Sequence, residues 1–292
     1  MRPSLPPGLK PDGGSSKKCD PSPYPLVSDM SIQNLLVQKE GPKAFIVFNR
    51  PEQRNSITYE MWREIAGIVG ELDQDPAVRV ILLTGAGDKS FAAGADITQF
   101  KTQRSDPEGA RAYNEVVDNA LKAIENAKKP VIAMINGYAV GGGLELAVAC
   151  DLRISSDHAK FGLPAARLGI VISFTDTRRL IHLVGPAYAK EILFTGQLFT
   201  AQEAREMGLV NRVVAHDQLR PFTLEMADAI AQNAPLSVQG AKKMINHCLE
   251  DPALNRVDPQ DEHLHLSCFM TEDFKEGVNA FLDKRKPVFK GL

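Results

Sequence analysis

The sequence predicts a single α/β domain built around a parallel sheet, and three observations predict it. Two near-continuous aliphatic runs, Val80 to Thr84 and Val131 to Ile135, are typical of strands buried on both faces. The segment between them, from about Glu108 to Asn126, has helical periodicity, which gives a strand, crossover, strand unit with parallel strands. A chain of 292 residues is long enough for one large domain with a substantial core.

The elements before the first buried strand predict a hairpin and an amphipathic helix. Leu35 to Gln38 and Ala44 to Asn49 have strand character, and the turn dipeptide Gly41-Pro42 separates them. Apolar residues then recur at three- and four-residue spacing between Thr58 and Asp75. This pattern predicts a helix with one apolar face, which would pack on the sheet.

The second half of the chain is predicted to be mainly helical after two further short strands, at 152 to 155 and 210 to 214. Capping residues mark the helix boundaries. They are Gly185-Pro186 at the start of one helix and Gly196 at its end, the capping box from Thr200 to Glu203, and a left-handed residue at Gly208. The last stretch, Pro235 to Lys286, predicts several amphipathic helices, and the basic run at its end is interpreted as a solvated helix end.

Composition excludes several classes of protein. A formal net charge of -2, with basic and acidic residues interspersed, argues against a nucleic-acid binder. No apolar run is long enough to predict a membrane span. Four widely separated cysteines (Cys19, Cys150, Cys248 and Cys268) predict free thiols in a reducing compartment, interpreted as the cytoplasm. The Pro-, Gly- and Ser-rich residues 1 to 30 predict a disordered extension without a targeting signal.

Two glycine-containing loops follow the two buried strands and predict an anion site. The first is Phe91 to Asp96, which reads FAAGAD, and the second is Asn136 to Gly143, in which three glycines lead directly into an apolar helix. Small residues leave backbone N–H groups accessible, and a helix N-terminus adds positive potential. If neighbouring strand ends place the loops side by side, one N–H from each can bind a single carbonyl oxygen and stabilise an enolate. Either loop alone is more often a tight turn or a close helix–strand contact than a site.

Glu145 interrupts the apolar residues in the first turn of the helix that follows the second loop. A carboxylate there is paired, caps its own helix, or takes part in chemistry. Burial would raise its pKa while the helix N-terminus would lower it, which suits a general acid or base. The sequence pattern leaves the capping alternative and the functional one open.

The ordered motifs resemble the crotonase (enoyl-CoA hydratase/isomerase) superfamily from about Leu35 to the C-terminus. They are the Asn49-Arg-Pro turn, FAAGADI, the tract from KPVIAMINGYAVGGGLELA to CDLRIS, the AKFGLP segment and the terminal EDFKEGVNAFLDKRKPVFKG. The resemblance implies an α/β fold with a ββα spiral core over residues 31 to 215. It also implies a C-terminal helical trimerisation region over residues 216 to 292, which assembles homotrimers or dimers of trimers.

The resemblance also implies roles for individual residues. The amides of Ala95 and Gly142 match the oxyanion-hole donors, and Glu145 matches the first of two catalytic glutamates. The positions matched to the substrate's coenzyme A are Ala93, Asp96, Ile97, Thr98, Gly141, Pro164, Phe289 and Lys290, of which the last two approach the coenzyme of the same or an adjacent subunit in relatives. Coenzyme A is part of the acyl-CoA substrate, so neither a separate cofactor nor a metal is expected.

One position departs from the pattern of the hydratases. Their second glutamate follows an FGxP tract, whereas here Pro164 is followed by Ala165. Two carboxylates can deprotonate an attacking water and deliver a proton to the α-carbon, and a lost acid–base group costs on the order of a hundredfold in rate. Ala165 therefore argues against ordinary crotonyl-CoA hydration, unless Asp176 or Ser173 in the following loop substitutes. An Asp at a helix start is more often an N-cap.

The leading functional hypothesis is an acyl-CoA lyase or isomerase of the enoyl-CoA hydratase type, in which Glu145 moves the proton. Isomerisation, decarboxylation and C–C cleavage on the same scaffold are alternatives. A coenzyme A ester-binding protein with reduced catalysis is an alternative of a different class. The acyl group is not predicted, because the placement of the residues around Lys101 to Tyr113 does not follow from the sequence. Phe100, Tyr113 and Phe174 are candidates for lining its pocket, but scattered aromatic residues are more often part of the core.

Overall fold

The computed structural model describes residues 31–32, 34–257, 261 and 263–292. The predicted extension over residues 1 to 30 lies outside the described residues. Within the described part of the chain, no helix has the length and apolar character needed to cross a membrane.

Seven strands of the described chain form the larger sheet. In sheet order they are β1 (Ser31–Ile32), β2 (Leu35–Glu40), β3 (Lys43–Phe48), β4 (Val80–Gly85), β6 (Val131–Ile135), β8 (Leu152–Ser156) and β11 (Arg212–Val214). The first three strands pair antiparallel, and β3, β4, β6, β8 and β11 pair parallel. The predicted hairpin and the parallel pairing of the two aliphatic runs are therefore confirmed.

The central strands are apolar on both faces because both faces are covered. Every residue of β4 and β6 is buried. Along β3, Ala44, Ile46 and Phe48 belong to the main core, while Phe45 and Val47 belong to a second cluster on the opposite face. The alternation follows from the two-residue period of a strand.

A second, smaller sheet positions the two glycine loops. Its strands are, in order, β10 (Phe199–Thr200), β9 (Lys160–Gly162), β7 (Tyr138–Val140) and β5 (Ser90–Ala92), of which the last three pair parallel. The sequence did not predict this sheet, because strands of two or three residues are too short to show a period. The loops are thus neighbours through β5 and β7, as well as through the paired strands β4 and β6 that precede them.

The helices pack around the two sheets. In chain order they are α1 (Tyr59–Gln74), α2 (Phe100–Gln103), α3 (Pro107–Asn126), α4 (Gly142–Ala149), α5 (Phe174–Thr195), α6 (Ala201–Glu206), α7 (Leu219–Ala231), α8 (Pro235–Glu250), α9 (Leu264–Ser267) and α10 (Glu272–Leu282). Buried residues of α1, α3 and α4 join the main core, and those of α7 join the second cluster.

Most predicted helix boundaries are confirmed by the cap geometry. The Thr58 side chain accepts from the amide of Met61 at 3.2 Å, and Thr200 and Glu203 form a capping box. Gly196 and Gly208 both have positive φ, at 57° and 84°. The sequence thus identified these ends correctly because each depends on one or two local residues.

Gly185, whose φ is 71°, is non-helical and divides α5 into two helical segments, so the second segment starts at Gly185-Pro186 as predicted. Two boundaries were predicted wrongly. Strand β11 starts two residues later than predicted, because the Val210 amide donates instead to the Ala204 carbonyl. The last helix ends at Leu282, so the basic run lies beyond it. Each error arises from a hydrogen bond or a backbone turn that local sequence does not specify.

Candidate active site

Two small-residue loops lie side by side at the start of α4. One follows β5 and contains Gly94 and Ala95, and the other follows β7 and leads through Gly141 into Gly142. A Cβ placed on Gly142 would lie 3.5 Å from the Ala95 nitrogen. A Cβ lies about 2.5 Å from its own nitrogen, so the amide nitrogens of Ala95 and Gly142 are at most about 6 Å apart. One oxygen atom can therefore lie within hydrogen-bond distance of both nitrogens.

The amides next to these two nitrogens are used by the fold. Asp96 donates to the Ile57 carbonyl at 2.8 Å, and Gly141 donates to a carbonyl of β9 at 2.9 Å. Within the described residues, the amides of Ala95 and Gly142 donate to no protein acceptor. Gly142 is the first residue of α4, where an amide has no partner inside the helix. The two amides are therefore available to a ligand and are held in place by their neighbours.

Packing explains why the second loop consists of glycines. Gly141 has φ 54° and ψ −126°, a backbone conformation that residues with a Cβ rarely adopt. A Cβ on Gly143 would lie 1.9 Å from the carbonyl oxygen of Ala92, and a Cβ on Gly142 would lie 2.9 Å from Cζ2 of Trp62. Backbone atoms therefore exclude a side chain at position 143, whereas the Trp62 ring and the ligand space exclude one at 142.

Glu145 lies in the first turn of α4, and in the described chain its carboxylate has neither a hydrogen bond nor an ion pair within the protein. The N-cap residue is Gly141, and no side chain caps the helix. The capping alternative raised from the sequence is therefore wrong. Burial raises the pKa of Glu145 to about 8, the negative charge of Asp176 contributes to the rise, and Arg104 and Arg179 oppose it. Glu145 therefore retains a proton at pH values where an ordinary glutamate is ionised.

Asp176 stands in the first turn of α5 within a network of charged groups. Its carboxylate accepts from the Ser173 hydroxyl at 2.6 Å and from Nη1 of Arg179 at 2.8 Å. The Nη2 group of Arg179 also donates to Glu125 of α3 at 2.6 Å. The Arg179 side chain is only 3% exposed, so this pairing is shielded from solvent. Arg179 and Glu125 were not predicted from the sequence, although the three-residue spacing of Asp176 and Arg179 on a helix indicates the contact between those two.

Comparison with known proteins places this geometry in a family. The model of the family described as Enoyl-CoA hydratase/isomerase matches residues 40–292. The chain belongs to the enoyl-CoA hydratase/isomerase family. It is 40% identical over 260 residues to the short-chain-enoyl-CoA hydratase of Clostridium acetobutylicum, covering 88% of this chain and 97% of the relative. It is also 40% identical to the crotonyl-CoA hydratase of Syntrophomonas wolfei, covering 89% of this chain and 99% of that protein.

Solved structures agree with this assignment. An enoyl-CoA hydratase/carnithine racemase from Magnetospirillum magneticum superposes with a TM-score of 0.86 at 38% identity, over 90% of this chain and 97% of that chain. The enoyl-CoA hydratase of Bacillus anthracis superposes with a TM-score of 0.82 at 35% identity, over 89% and 100% respectively. The predicted crotonase-type α/β fold and the recognised superfamily are thereby confirmed.

Most of the residues predicted to bind coenzyme A in this enoyl-CoA hydratase/isomerase family member lie in or beside the two loops. Ala93, Asp96, Ile97, Thr98, Gly141 and Pro164 lie in the loops or just after β9. The Asp96 carboxylate pairs with Arg50 at 2.9 Å and accepts from the Thr98 hydroxyl at 2.6 Å, which fixes the first loop. Ile97 and Thr98 are exposed. These six residues therefore lie around the two loops, and their contact with coenzyme A stays a prediction.

Phe289 and Lys290 are not brought to the loops of their own chain. The Phe289 carbonyl accepts from Arg79 at 3.2 Å, and the Lys290 amide donates to Asp273 of α10 at 2.7 Å. Arg79 immediately precedes β4, whereas the loops lie beyond its other end, roughly 17 Å away along the strand. The contact of this tail with coenzyme A, in the same or an adjacent subunit, therefore stays a prediction.

The aromatic candidates for an acyl pocket have different environments. The Tyr113 ring of α3 is buried, and the Arg104 guanidinium lies over it at 4.0 Å from the ring centroid. Burial raises the pKa of Tyr113, and the charge of Glu145 adds to the rise, which places this tyrosine near the site. Phe174 is 98% exposed, so it lines no pocket of its own chain. The side chain of Phe100 lies outside the described residues.

The cysteines and the acidic groups show no further chemistry in the described part of the chain. No group of three or more His, Cys, Asp or Glu side chains there could hold a metal ion. Cys150, Cys248 and Cys268 are free thiols, as predicted. Burial raises the pKa of the Cys150 thiol to about 12, which makes it a poor nucleophile.

Proposed function

We propose that this chain is an enoyl-CoA hydratase-type lyase for short-chain 2-enoyl-CoA esters. The observation that carries the proposal is the pair of unbonded amides, Ala95 and Gly142, at most about 6 Å apart. Near-complete coverage of two relatives that carry the names short-chain-enoyl-CoA hydratase and crotonyl-CoA hydratase supports the substrate class. Coenzyme A enters as part of the substrate, and the chemistry requires only enolate stabilisation and proton transfer.

In the proposed reaction the thioester oxygen binds between the two amides. Addition of water to the β-carbon moves the π electrons toward that oxygen, and the negative charge that develops there is stabilised by both N–H groups. Preorganised donors of this kind contribute on the order of 3 kcal/mol each. The helix dipole of α4 acts in the same direction because Gly142 is its first residue. Glu145 then supplies the proton that the α-carbon requires.

A homotrimeric or hexameric assembly is proposed from the surface of the C-terminal region. Several large apolar residues on or beside α9 and α10 are more than half exposed in the single chain. They are Phe269, Met270, Phe281 and Leu282. An apolar surface of this kind is typical of a subunit interface. Light scattering of the full chain checks the mass of the assembly.

The free thiols support a reducing compartment such as the cytoplasm.

The test is turnover of a panel of acyl-CoA esters by the wild-type chain and the Glu145→Gln variant. We expect hydration of crotonyl-CoA by the wild type, and a loss of at least about tenfold in the variant, because the amide cannot donate the required proton. Binding of a coenzyme A ester should be retained in both proteins. An unchanged rate in the variant would remove Glu145 from the mechanism.

Isomerisation of a 3-enoyl-CoA is a second candidate, and Ala165 is the observation that favours it. Moving a double bond requires one proton shuttle, which Glu145 alone can provide, whereas hydration uses two carboxylates. Turnover of 3-enoyl-CoA with no hydration of 2-enoyl-CoA would establish the isomerase. Binding of the esters without any turnover would establish the coenzyme A ester-binding protein.

A further inference from the structure

Helix α5 brings a second carboxylate to the site although Ala165 does not. Ala165 lies in the 3-10 turn Pro164–Leu168, which follows β9 beside the start of α4. Helix α5 begins a few residues later and packs against α4. Asp176, in the first turn of α5, has a side chain that is only 13% exposed. Helix α5, which follows the 3-10 turn that contains Ala165, therefore places a largely buried carboxylate near Glu145.

The contacts of Asp176 suit a carboxylate that acts as a base. Both of its oxygens accept hydrogen bonds, one from the Ser173 hydroxyl at 2.6 Å and the other from Arg179 at 2.8 Å. An ionised carboxylate is an acceptor only, so this set of donors fits the anion. The Arg179 side chain is 3% exposed and is oriented by a second carboxylate, Glu125. Because each oxygen has a further lone pair, Asp176 can still accept a proton from a water molecule.

The surroundings of Glu145 differ from those of Asp176, because they favour a neutral carboxyl group. In the described chain no donor reaches its carboxylate, and burial favours its neutral form. The charged or titratable groups that act on it are Asp176 and Arg179 from α5, Arg104 from the segment before α3, and Tyr113 from α3. Asp176 disfavours a negative charge on Glu145, and the two arginines only partly offset this. The surroundings of Glu145 therefore favour its protonated form.

We propose that Asp176 is the second catalytic carboxylate of the site, accepting the proton of the attacking water while Glu145 donates a proton to the α-carbon. This inference rests on the proposed hydratase function. It assigns to α5 the task that hydratases with an FGxPE tract give to the residue after the proline. Ser173 and Arg179 are then positioning residues that orient the Asp176 carboxylate.

The step balances without any further reactant. The water oxygen forms a bond to the β-carbon, and one of its protons passes to Asp176. The π electrons of the double bond move to the thioester oxygen, held by Ala95 and Gly142, and return to form the bond between the α-carbon and the proton from Glu145. Exchange with solvent then returns a proton to Glu145 and removes one from Asp176, which restores the starting state.

The test compares Asp176→Asn with the wild type in two reactions. Hydration of crotonyl-CoA should fall by about a hundredfold or more, because the amide cannot accept the water proton. Exchange of the α-hydrogens of butanoyl-CoA with D₂O should change by no more than a few-fold, because that reaction uses Glu145 and the two amides and needs no attacking water. Equal losses in the two reactions, or an unchanged hydration rate, would overturn the assignment.

The pH profile gives a readout that a structural role would not change. In the wild type, kcat/KM should decline at alkaline pH as Glu145 ionises, with a midpoint near its raised pKa of about 8. In Asp176→Asn the neighbouring negative charge is gone, so the residual activity should decline at a lower pH. A midpoint that does not move would contradict the coupling of the two carboxylates.

Two more variants separate the failure of this inference from that of the proposed function. Asp176→Glu keeps the carboxylate and should retain more hydration than Asp176→Asn. Adding Ala165→Glu to Asp176→Asn restores a carboxylate where hydratases carry it and should recover part of the lost rate. If neither recovers hydration while the wild type hydrates crotonyl-CoA, Asp176 is not the base and the hydratase function stands. If the wild type hydrates no enoyl-CoA, both proposals are wrong.

Discussion

The backbone half of the site and its carboxylate half are held by different forces. The amides of Ala95 and Gly142 are fixed by pairing of β5 with β7 and by main-chain hydrogen bonds on either side. Glu145 and Asp176 are fixed by packing and charge across α3, α4 and α5. A substitution that adds volume should therefore disrupt the backbone half, whereas a substitution that removes one charge should be enough to disrupt the carboxylate half.

The largest effect is expected from removing the buried charge of the carboxylate half. Arg179→Met leaves Asp176 and Glu125 without their shared partner, and breaking such a buried pair typically costs about 3–5 kcal/mol of unfolding free energy. Chemical denaturation of the variant and the wild type measures this loss of unfolding free energy. The matched control is Arg178→Met, because Arg178 is 38% exposed and its carboxylate contacts are 3.6 Å and 3.9 Å long. That variant should lose less than about 1 kcal/mol. Equal losses would contradict the distinction.

The backbone half is tested by a change of volume without a change of charge. Gly142→Ala adds a Cβ that lies 2.9 Å from Trp62 and 3.5 Å from the Ala95 nitrogen. We expect a rate lowered by about a hundredfold, because one donor and the oxygen site are obstructed. Gly67→Ala in α1 is the control, since its added Cβ contacts nothing within 4 Å. Steady-state kinetics of both variants on crotonyl-CoA gives the comparison, and similar rates would show that the amides are not used.

A pH-dependent effect on stability is expected from Glu145 itself. Its folded-state pKa of about 8 exceeds the ordinary value of 4.5, so the folded state binds the proton more tightly than the unfolded chain does. The unfolding free energy should therefore fall as pH rises from 4.5 to about 8, with a slope of at most about 1.4 kcal/mol per pH unit. Glu145→Gln lacks this contribution. The difference in unfolding free energy between variant and wild type should therefore increase with pH over that window, and a constant difference would contradict the raised pKa.

The features that the sequence predicted are those that depend on local residues. The aliphatic run of β4 and the N-cap Thr58 were visible because burial on both faces and a capping hydroxyl each leave a local pattern. The two glycine loops were also visible, because only small residues allow a close approach of backbone to ligand. The family motifs then connected these loops to a function.

The features that the sequence did not predict depend on contacts between distant elements. Strands β5, β7 and β9 are too short to show periodicity, so the sheet that joins the loops was missed. The contact between Arg179 and Glu125 joins residues 54 positions apart, and no sequence pattern marks such a pair. The capping alternative for Glu145 could be dismissed only once the carboxylate was seen without a donor.

The position of the C-terminal arm has a consequence for how the protein would respond to dilution. Asp273 holds the Lys290 and Gly291 amides at 2.7 Å and 2.8 Å, and this keeps the arm at the far end of β4 from the loops of its own chain. If Phe289 and Lys290 contact the substrate of an adjacent subunit, as predicted, their contribution to binding depends on assembly of the subunits. Apparent affinity for the thioester would weaken as subunits separate at low protein concentration, while the chemical step in each remaining complete site would keep its rate.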